Sequence, residues 1–348
     1  MEQLLKIKKF ILLFFILKIL MALVFFVIME PVFGQSVFKF NDFGKYQNLN
    51  MESGGNFGYR WLISFLGITS LEQPLPIFLA TTMNVFIDVG WIYLFAKYLS
   101  IRGLFLFTLM LSLQPYAAIY TMKFTTIIFA KAGLLFFCRE LLIGGFNKIK
   151  QRTISLAELL FWTFITLVRT TNILIVVPYF FLKLRHNPFK AMIIIITFVC
   201  LIYFSSPNYA SDVHLLPNIP WSLNYVKELL DIENSFIALP LMLVARVFLL
   251  FGAREKLFGE GIEPFLVWGI PGLELCIYLL LACIQFFGFY LAIRFFFKRY
   301  GIATLAILIP LGVCILTYSH QRYLIPFIPI CLFGLALIYD SKKNNRLK

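Results

Sequence analysis

"LAELLFWTFITLVRTTNILIVVPYFFLKLR", residues 156–185, is the stretch on which the fold turns. A helix of about 20 apolar residues crosses a hydrocarbon core of roughly 30 Å, so this run is long enough for one crossing. A basic cluster stands at each end, however: Lys148, Lys150 and Arg152 before it, Lys183, Arg185 and Lys190 after it. Basic residues collect in cytoplasmic loops, and a single crossing would put one cluster on the wrong side. Two half-length arms turning at "VRTTN", Val168 to Asn172, keep both clusters together. The apex of such a hairpin need not clear the bilayer, and irregular backbone at that depth calls for polar surroundings.

The rest of the chain agrees with this setting. Of its 348 residues 61% are hydrophobic, 18% aromatic and only 14% charged, a composition outside the range of soluble domains. The net charge of +14 would suggest nucleic acid in a soluble protein. Here the basic residues lie between apolar runs, which points to membrane topology and excludes nucleic acid as a partner. Spans are expected at 9–31, 76–96, 103–120 and 124–143, then the hairpin within 156–182, then at 190–204, 268–296, 302–318 and 324–340. With the hairpin counted as two, the expectation is an all-α, polytopic membrane protein of about ten crossings, a single domain over 1–348. Lys6/Lys8/Lys9, Lys97/Arg102, Lys298/Arg299 and the tail Lys342/Lys343/Arg346/Lys348 join the two clusters above on the cytoplasmic side, and both termini with them. Residues 32–75, Thr121–Phe124, 205–267 and Ser319–Arg322 fall on the outer side. The basic, then apolar, first 30 residues are read as the first span, because the apolar run exceeds that of a signal peptide. Composition and Phe-, Ile- and Lys-rich usage suggest a bacterial inner membrane.

Two outer segments have the pattern of helices lying on the membrane surface. In "FGYRWLISFLGITS" Phe57, Trp61, Phe65 and Ile68 share one face, opposite Arg60, Ser64 and Gly67. In "PWSLNYVKELLDIENS" Tyr225, Val226, Leu229 and Leu230 oppose Asn224, Lys227, Glu228 and Asp231. The apolar run 236–252 would upset the parity of the later spans as a full crossing, and is placed as re-entrant or interfacial. Cys138, Cys200, Cys276, Cys283, Cys314 and Cys331 all lie in apolar runs and are expected to be small buried packing residues.

Polar residues in these settings are the candidates for chemistry. Asp42, in "FKFNDFGKYQN", lies about ten residues beyond the first span, near the membrane surface, and is free to act as a base or to be a solvated loop acid. "SHQRYLIPFIP" puts His320 and Arg322 at the outer mouth of the last span, with Tyr323 and Pro326 able to fix its start. Arg grips phosphate through two parallel hydrogen bonds, and near a bilayer it also snorkels to headgroups. Arg169, at the hairpin apex, is costly at that depth unless paired or wet, and an anionic headgroup would serve as partner. Deeper, Asp88 follows Asn84 by one turn, and Lys131 lies in the fourth span. Those two charges would either neutralise one another or, with Lys18, Glu158 and Glu274, mark an ion path.

In order along the chain these outer elements resemble the polyprenyl-phosphate-dependent glycosyltransferases of the GT-C fold. Asp42 followed four residues later by Tyr46 resembles the start of that family's first outer loop, and "GYRWLISFLG" its following amphipathic helix. "QPYAAIYTMKFTTIIFAKAGLLFF" is similar to its Pro-containing outer turn, "LVRTTNILIVVPYFF" to its Arg-containing hairpin and "HQRYLIPFIPI" to its late "RYLLP" element. The resemblance implies a sugar donor on a polyprenyl phosphate or diphosphate and a glycan or glycolipid acceptor. It implies Asp42 as general base, Arg322 with Arg169 or Lys45 on the departing phosphate, and Tyr46, His320 and Tyr323 as positioning groups. "KFTT" stands where the family often carries a Glu, so no cofactor is fixed and a divalent cation stays open. A polysaccharide polymerase of the O-antigen type, working through Arg246, Arg254 and Arg322, is an alternative. A lipid-linked oligosaccharide flippase or transporter is another, although no internal repeat is visible.

Overall fold

The computed structural model describes residues 2–24, 57–71, 73–114, 121, 124–143, 154–205, 227, 231, 233–251, 271–317 and 324–344. Among these the secondary structure is entirely helical. In chain order the helices are α1 (Glu2–Val24), α2 (Phe57–Phe65), α3 (Pro74–Ala96), α4 (Ile101–Leu113), α5 (Ile127–Leu142) and α6 (Leu156–Val168). They continue with α7 (Ile173–Lys183), α8 (Pro188–Ser205), α9 (Ser235–Phe251), α10 (Pro271–Tyr300), α11 (Leu305–Thr317) and α12 (Ile328–Asn344). Short 3-10 turns at Thr170–Asn172, Gly301–Thr304 and Ile325–Phe327 precede α7, α11 and α12.

Among the described residues two runs are long and apolar enough to cross a membrane, Pro74–Ala96 and Leu279–Val313. The second is interrupted at Gly301, whose φ of 57° is a left-handed conformation that a side chain would strain. Beyond it the chain doubles back. Arg246 and Phe251, near one end of α9, meet Ile315 of α11 and Phe289 of α10, which lie at similar distances on the two sides of Gly301. Apolar side chains also cover the outside of the bundle: Phe78, Phe86 and Tyr93 of α3 are each about two-thirds exposed. A soluble surface does not carry that much contiguous apolar area.

One end of the bundle gathers the junctions that follow α3, α5 and α10. Tyr98 donates to the Leu142 carbonyl at 2.9 Å and Tyr300 to the same oxygen at 3.2 Å. Burial, then the neighbouring Tyr300 hydroxyl, hold the Tyr98 phenol well above its ordinary range, against the opposing pull of the Arg299 guanidinium. Asp340 accepts from the Ser100 backbone N–H at 2.6 Å and from its hydroxyl, while Ser100 caps α4 by accepting from Gly103. Phe10 of α1 packs on Phe105 of α4, which brings Lys8 and Lys9 toward this same end. Lys97, Arg102, Lys298 and Arg299 are therefore neighbours here.

The tightest packing is between α10 and α12. Gly288 lies against the Cys331 carbonyl and Gly334 against the Gly288 carbonyl, so neither position has room for a methyl group. Close backbone approach through small residues is how helices gain van der Waals contact without a hydrophobic drive between them. Phe95 of α3 stacks on Phe333 at 4.0 Å and Phe296 stacks on the other side at 5.8 Å, filling the core beside this crossing.

The run 236–252, expected to be re-entrant or interfacial, forms α9, which packs on α10 and α11 through Ala238, Met242, Arg246 and Leu250, one residue per turn. Two expectations change. Cys200 and Cys283 are exposed on the outside of the bundle, whereas Cys138 and Cys331 are buried as expected. A run apolar on every side carries no signal for which face turns inward. Lys183, placed by sequence in a surface cluster, is buried and ion-paired. The helix expected around 225–231 lies largely outside the described residues.

Candidate functional site

The hairpin forms where the basic clusters required it. α6 and α7 are 13 and 11 residues, about 20 and 16 Å long, too short to span a bilayer singly. α7 returns alongside α6: Lys183 Nζ lies 3.3 Å from Glu158 Oε1, Tyr179 donates to the same carboxylate, and the Trp162 and Tyr179 rings are 4.7 Å apart. Glu140 of α5 closes the cluster, 3.1 Å from Lys183. Two carboxylates share one ammonium here, with the exposed Arg139 guanidinium 3.7 Å from Glu140 as a second counter-charge. This knot ties the open end of the hairpin to α5.

At the apex the backbone of Arg169 is extended, with φ −143° and ψ 101°, between the last turn of α6 and the 3-10 turn. Its N–H still donates to the Ile165 carbonyl at 3.0 Å, and its carbonyl accepts from the Asn172 N–H at 2.9 Å. The Asn172 side-chain amide also donates to Ile165, at 2.9 Å, so the free backbone groups of the break are satisfied locally. The Arg169 side chain is only 8% exposed and its Nε donates to the Thr171 hydroxyl at 2.9 Å.

α2 lies against this apex. A Cβ at Gly58 would come within 2.6 Å of the Leu167 backbone, and the Tyr59 hydroxyl donates to the Phe124 carbonyl. The faces divide differently from the sequence expectation: Arg60 is buried together with Tyr59, Ile63 and Ile68, whereas Ser64 and Gly67, expected to share its face, are exposed. Trp61 and Phe65 stack on one another and face outward, whereas Arg60, 4% exposed, faces the bundle. A lipid-facing exterior rewards that orientation. Thr121, whose carbonyl accepts from the Asn84 amide at 3.2 Å, and Phe124 with buried Thr125 belong to the same end. The turn Ile325–Phe327, which continues "HQRYLIPFIP", packs on α5.

Of the sequence-based site residues, Arg169 alone is described. Asp42, Lys45, Tyr46, His320, Arg322 and Tyr323 lie outside the described residues. Arg60 is the residue that sequence reasoning passed over. The signal was present, since Arg60 interrupts an apolar helix on its narrow polar face; what a helical pattern lacks is which face meets protein.

A second charged constellation lies in the core. Asp88 is fully buried and pairs directly with Lys131, as the sequence suggests, but also with Lys18 of α1 at 3.8 Å. Lys18 Nζ donates in addition to the Leu111 carbonyl at 3.4 Å. Asn84, one turn from Asp88, donates to the Ala80 carbonyl at 3.0 Å and to the Thr121 carbonyl at 3.2 Å. Two ammonium groups thus share one carboxylate and join α1, α3 and α5. Among the described residues no group of three or more His, Cys, Asp or Glu side chains is placed to hold a metal ion.

No protein-family model, curated protein or solved structure matches the chain.

Proposed function

We propose that this chain is a polytopic protein of the bacterial inner membrane with about ten crossings and both termini in the cytoplasm, and that it is a glycosyltransferase of the GT-C type. It moves a sugar from a polyprenyl-phosphate-linked donor to an envelope glycan or glycolipid at the outer membrane–water interface. The observation that carries the reading is the buried Arg169 at the apex of a half-length hairpin, beside a surface helix that turns its Arg60 inward. Buried guanidinium groups at the non-basic end of a membrane bundle fit an anionic lipid headgroup.

The chemistry follows from those parts. The Asp42 carboxylate takes the proton of the acceptor hydroxyl as its oxygen attacks the anomeric carbon from the face opposite the lipid phosphate. The new C–O bond forms as the bond to the phosphate oxygen breaks, and the electron pair leaves with the phosphate, inverting the anomeric centre. Arg322 and Arg169, with Lys45, stabilise the charge growing on that phosphate. Tyr46, His320 and Tyr323 position sugar and acceptor, and a divalent cation would assist at the same phosphate.

The polymerase reading draws on Arg246, Arg254 and Arg322. Arg246 is buried and donates to the Ile315 carbonyl at 3.1 Å, a helix-joining contact that weighs against a role on substrate. The flippase or transporter reading draws on the Lys18–Asp88–Lys131 group. The deciding experiment is the length distribution of surface glycan in a deletion strain. Loss of one branch or terminal sugar supports a single-sugar transferase, collapse to one repeat a polymerase, and a wild-type glycan removes both. Asp42→Asn in the complementing copy should lower transfer by roughly two to four decades; unaltered glycan would rule out Asp42 as the base.

A further inference from the structure

An apolar groove of about 480 Å³ runs between α7 and α11, lined by Ile173, Val177 and Phe181 on one wall and Ile302, Leu305 and Ile309 on the other. Phe181, Ile302, Leu305 and Ile309 are exposed, and Ile302 is 77% so. In the membrane reading this groove faces lipid. Burying an acyl chain in it gains little by the hydrophobic effect, because the surrounding tails are equally apolar. Selectivity must come from what stands at its mouth.

That mouth is basic. One end of the groove is at Leu182 and Ile302, the other at Ile173 and Ile309; at the first, Arg185 follows Leu182 by three residues and Lys298 precedes Ile302 by four. Both side chains are exposed, and among the described residues neither has a carboxylate within ion-pair distance, whereas Lys183 between them is taken up by Glu140 and Glu158. Gly301, in the left-handed conformation, joins the end of α10, which carries Lys298, to the 3-10 turn that supplies Ile302 to the groove. Cations in this position, at the cytoplasmic end of the bundle, attract the anionic lipids of the inner leaflet.

We propose that the α7–α11 groove is a binding site for an anionic phospholipid of the inner leaflet, with one acyl chain in the groove and the phosphodiester held by Arg185 and Lys298. The proposed headgroup position lies at the opposite end of the hairpin from Arg169, while the groove itself begins at Ile173, directly after the apex turn. A lipid seated there would wedge the hairpin against α11, so occupancy would stabilise the hairpin that carries the apex. The inference rests on the membrane-spanning reading and not on glycosyl transfer.

The test is native mass spectrometry and thermal unfolding of the full chain in detergent, with added phosphatidylglycerol, phosphatidylcholine or undecaprenyl phosphate. Phosphatidylglycerol should be retained as a stoichiometric adduct and raise the unfolding temperature, and phosphatidylcholine should not. Each cation removed should weaken retention roughly fivefold, and Arg185→Ala with Lys298→Ala together roughly 25-fold. Ile309→Trp, on the exposed wall, should weaken retention with both cations in place. Equal retention of phosphatidylcholine, or unchanged affinity in the double variant, would overturn the proposal. Retention of undecaprenyl phosphate alone in a manner abolished by Ile309→Trp would assign the groove to an isoprenoid donor instead and equally overturn it. Loss of glycan transfer in Asp42→Asn leaves these readouts unchanged, so the two readings fail separately.

Discussion

Replacing Asp88 by Asn should be among the most damaging single changes in the described core. Asp88 is the carboxylate between the Lys131 and Lys18 ammonium groups, and all three are almost fully buried. Asn keeps the shape and removes the charge, so two like charges would face one another without their counter-ion. Removing one partner of a buried ion pair costs about 3–5 kcal/mol. At about 1.4 °C per kcal/mol for a chain of this size, the unfolding temperature should fall by about 4–7 °C. Lys18→Met should behave oppositely. It removes the more distant cation, leaves Asp88 and Lys131 as a one-to-one pair, and should be neutral or stabilising, because hydrophobic replacement of a buried ion often is. Lys131→Met should fall between, leaving Asp88 with a partner 3.8 Å away. The assay is a thermal ramp of detergent-solubilised protein with a thiol-reactive dye. Cys138 and Cys331 are buried on α5 and α12 and react as the helices part, once the other four cysteines are replaced by serine. An Asp88→Asn protein as stable as the parent, or a Lys18→Met protein less stable than Asp88→Asn, would refute the charge-sharing argument.

Gly334→Ala should cost about 1–3 kcal/mol or more by forcing α10 and α12 apart, since its new methyl meets the Gly288 carbonyl; an unchanged unfolding temperature would show that the crossing is looser. Arg169→Lys should lower transfer by about 10²-fold with unfolding temperature held, as an ammonium lacks the paired donors of a guanidinium; full activity in the Lys variant would leave only a charge requirement. Single cysteines at positions 42 and 320 should label with an impermeant reagent from the periplasmic side, and labelling solely from the cytoplasm would reverse the topology.

How much of this was legible in the sequence depended on whether the cause was local. The hairpin was, because the basic residues at its two ends obey a rule about sides that needs no knowledge of packing. The pairing of Asp88 with Lys131 was, since opposite charges in apolar runs have few other partners. Lys18 was visible as an intramembrane charge, but its arrival on Asp88 depends on α1 packing against α3 and α4, a contact over many residues that no spacing encodes. Lys183 was assigned to the surface for the same reason: its two carboxylates come from α5 and α6. For α2 the periodicity grouped Arg60 with Ser64 and Gly67, which are exposed, because the buried side is set by contact with the hairpin apex through Gly58 and by the Tyr59 bond to Phe124.

The shortness of the hairpin has a consequence for how such a protein meets its substrate. α3 is about 34 Å long and α6 about 20 Å, so this arm of the hairpin is roughly 14 Å shorter than a full-length span of the bundle. A group at the end of so short an arm is approached sideways, from within the lipid sheet, and encounter becomes a search in two dimensions. For a lipid-borne donor the governing variable is then its mole fraction in the leaflet rather than its amount per volume of suspension. Saturation curves taken at different lipid-to-protein ratios should superimpose when plotted against surface density and spread apart when plotted against bulk concentration.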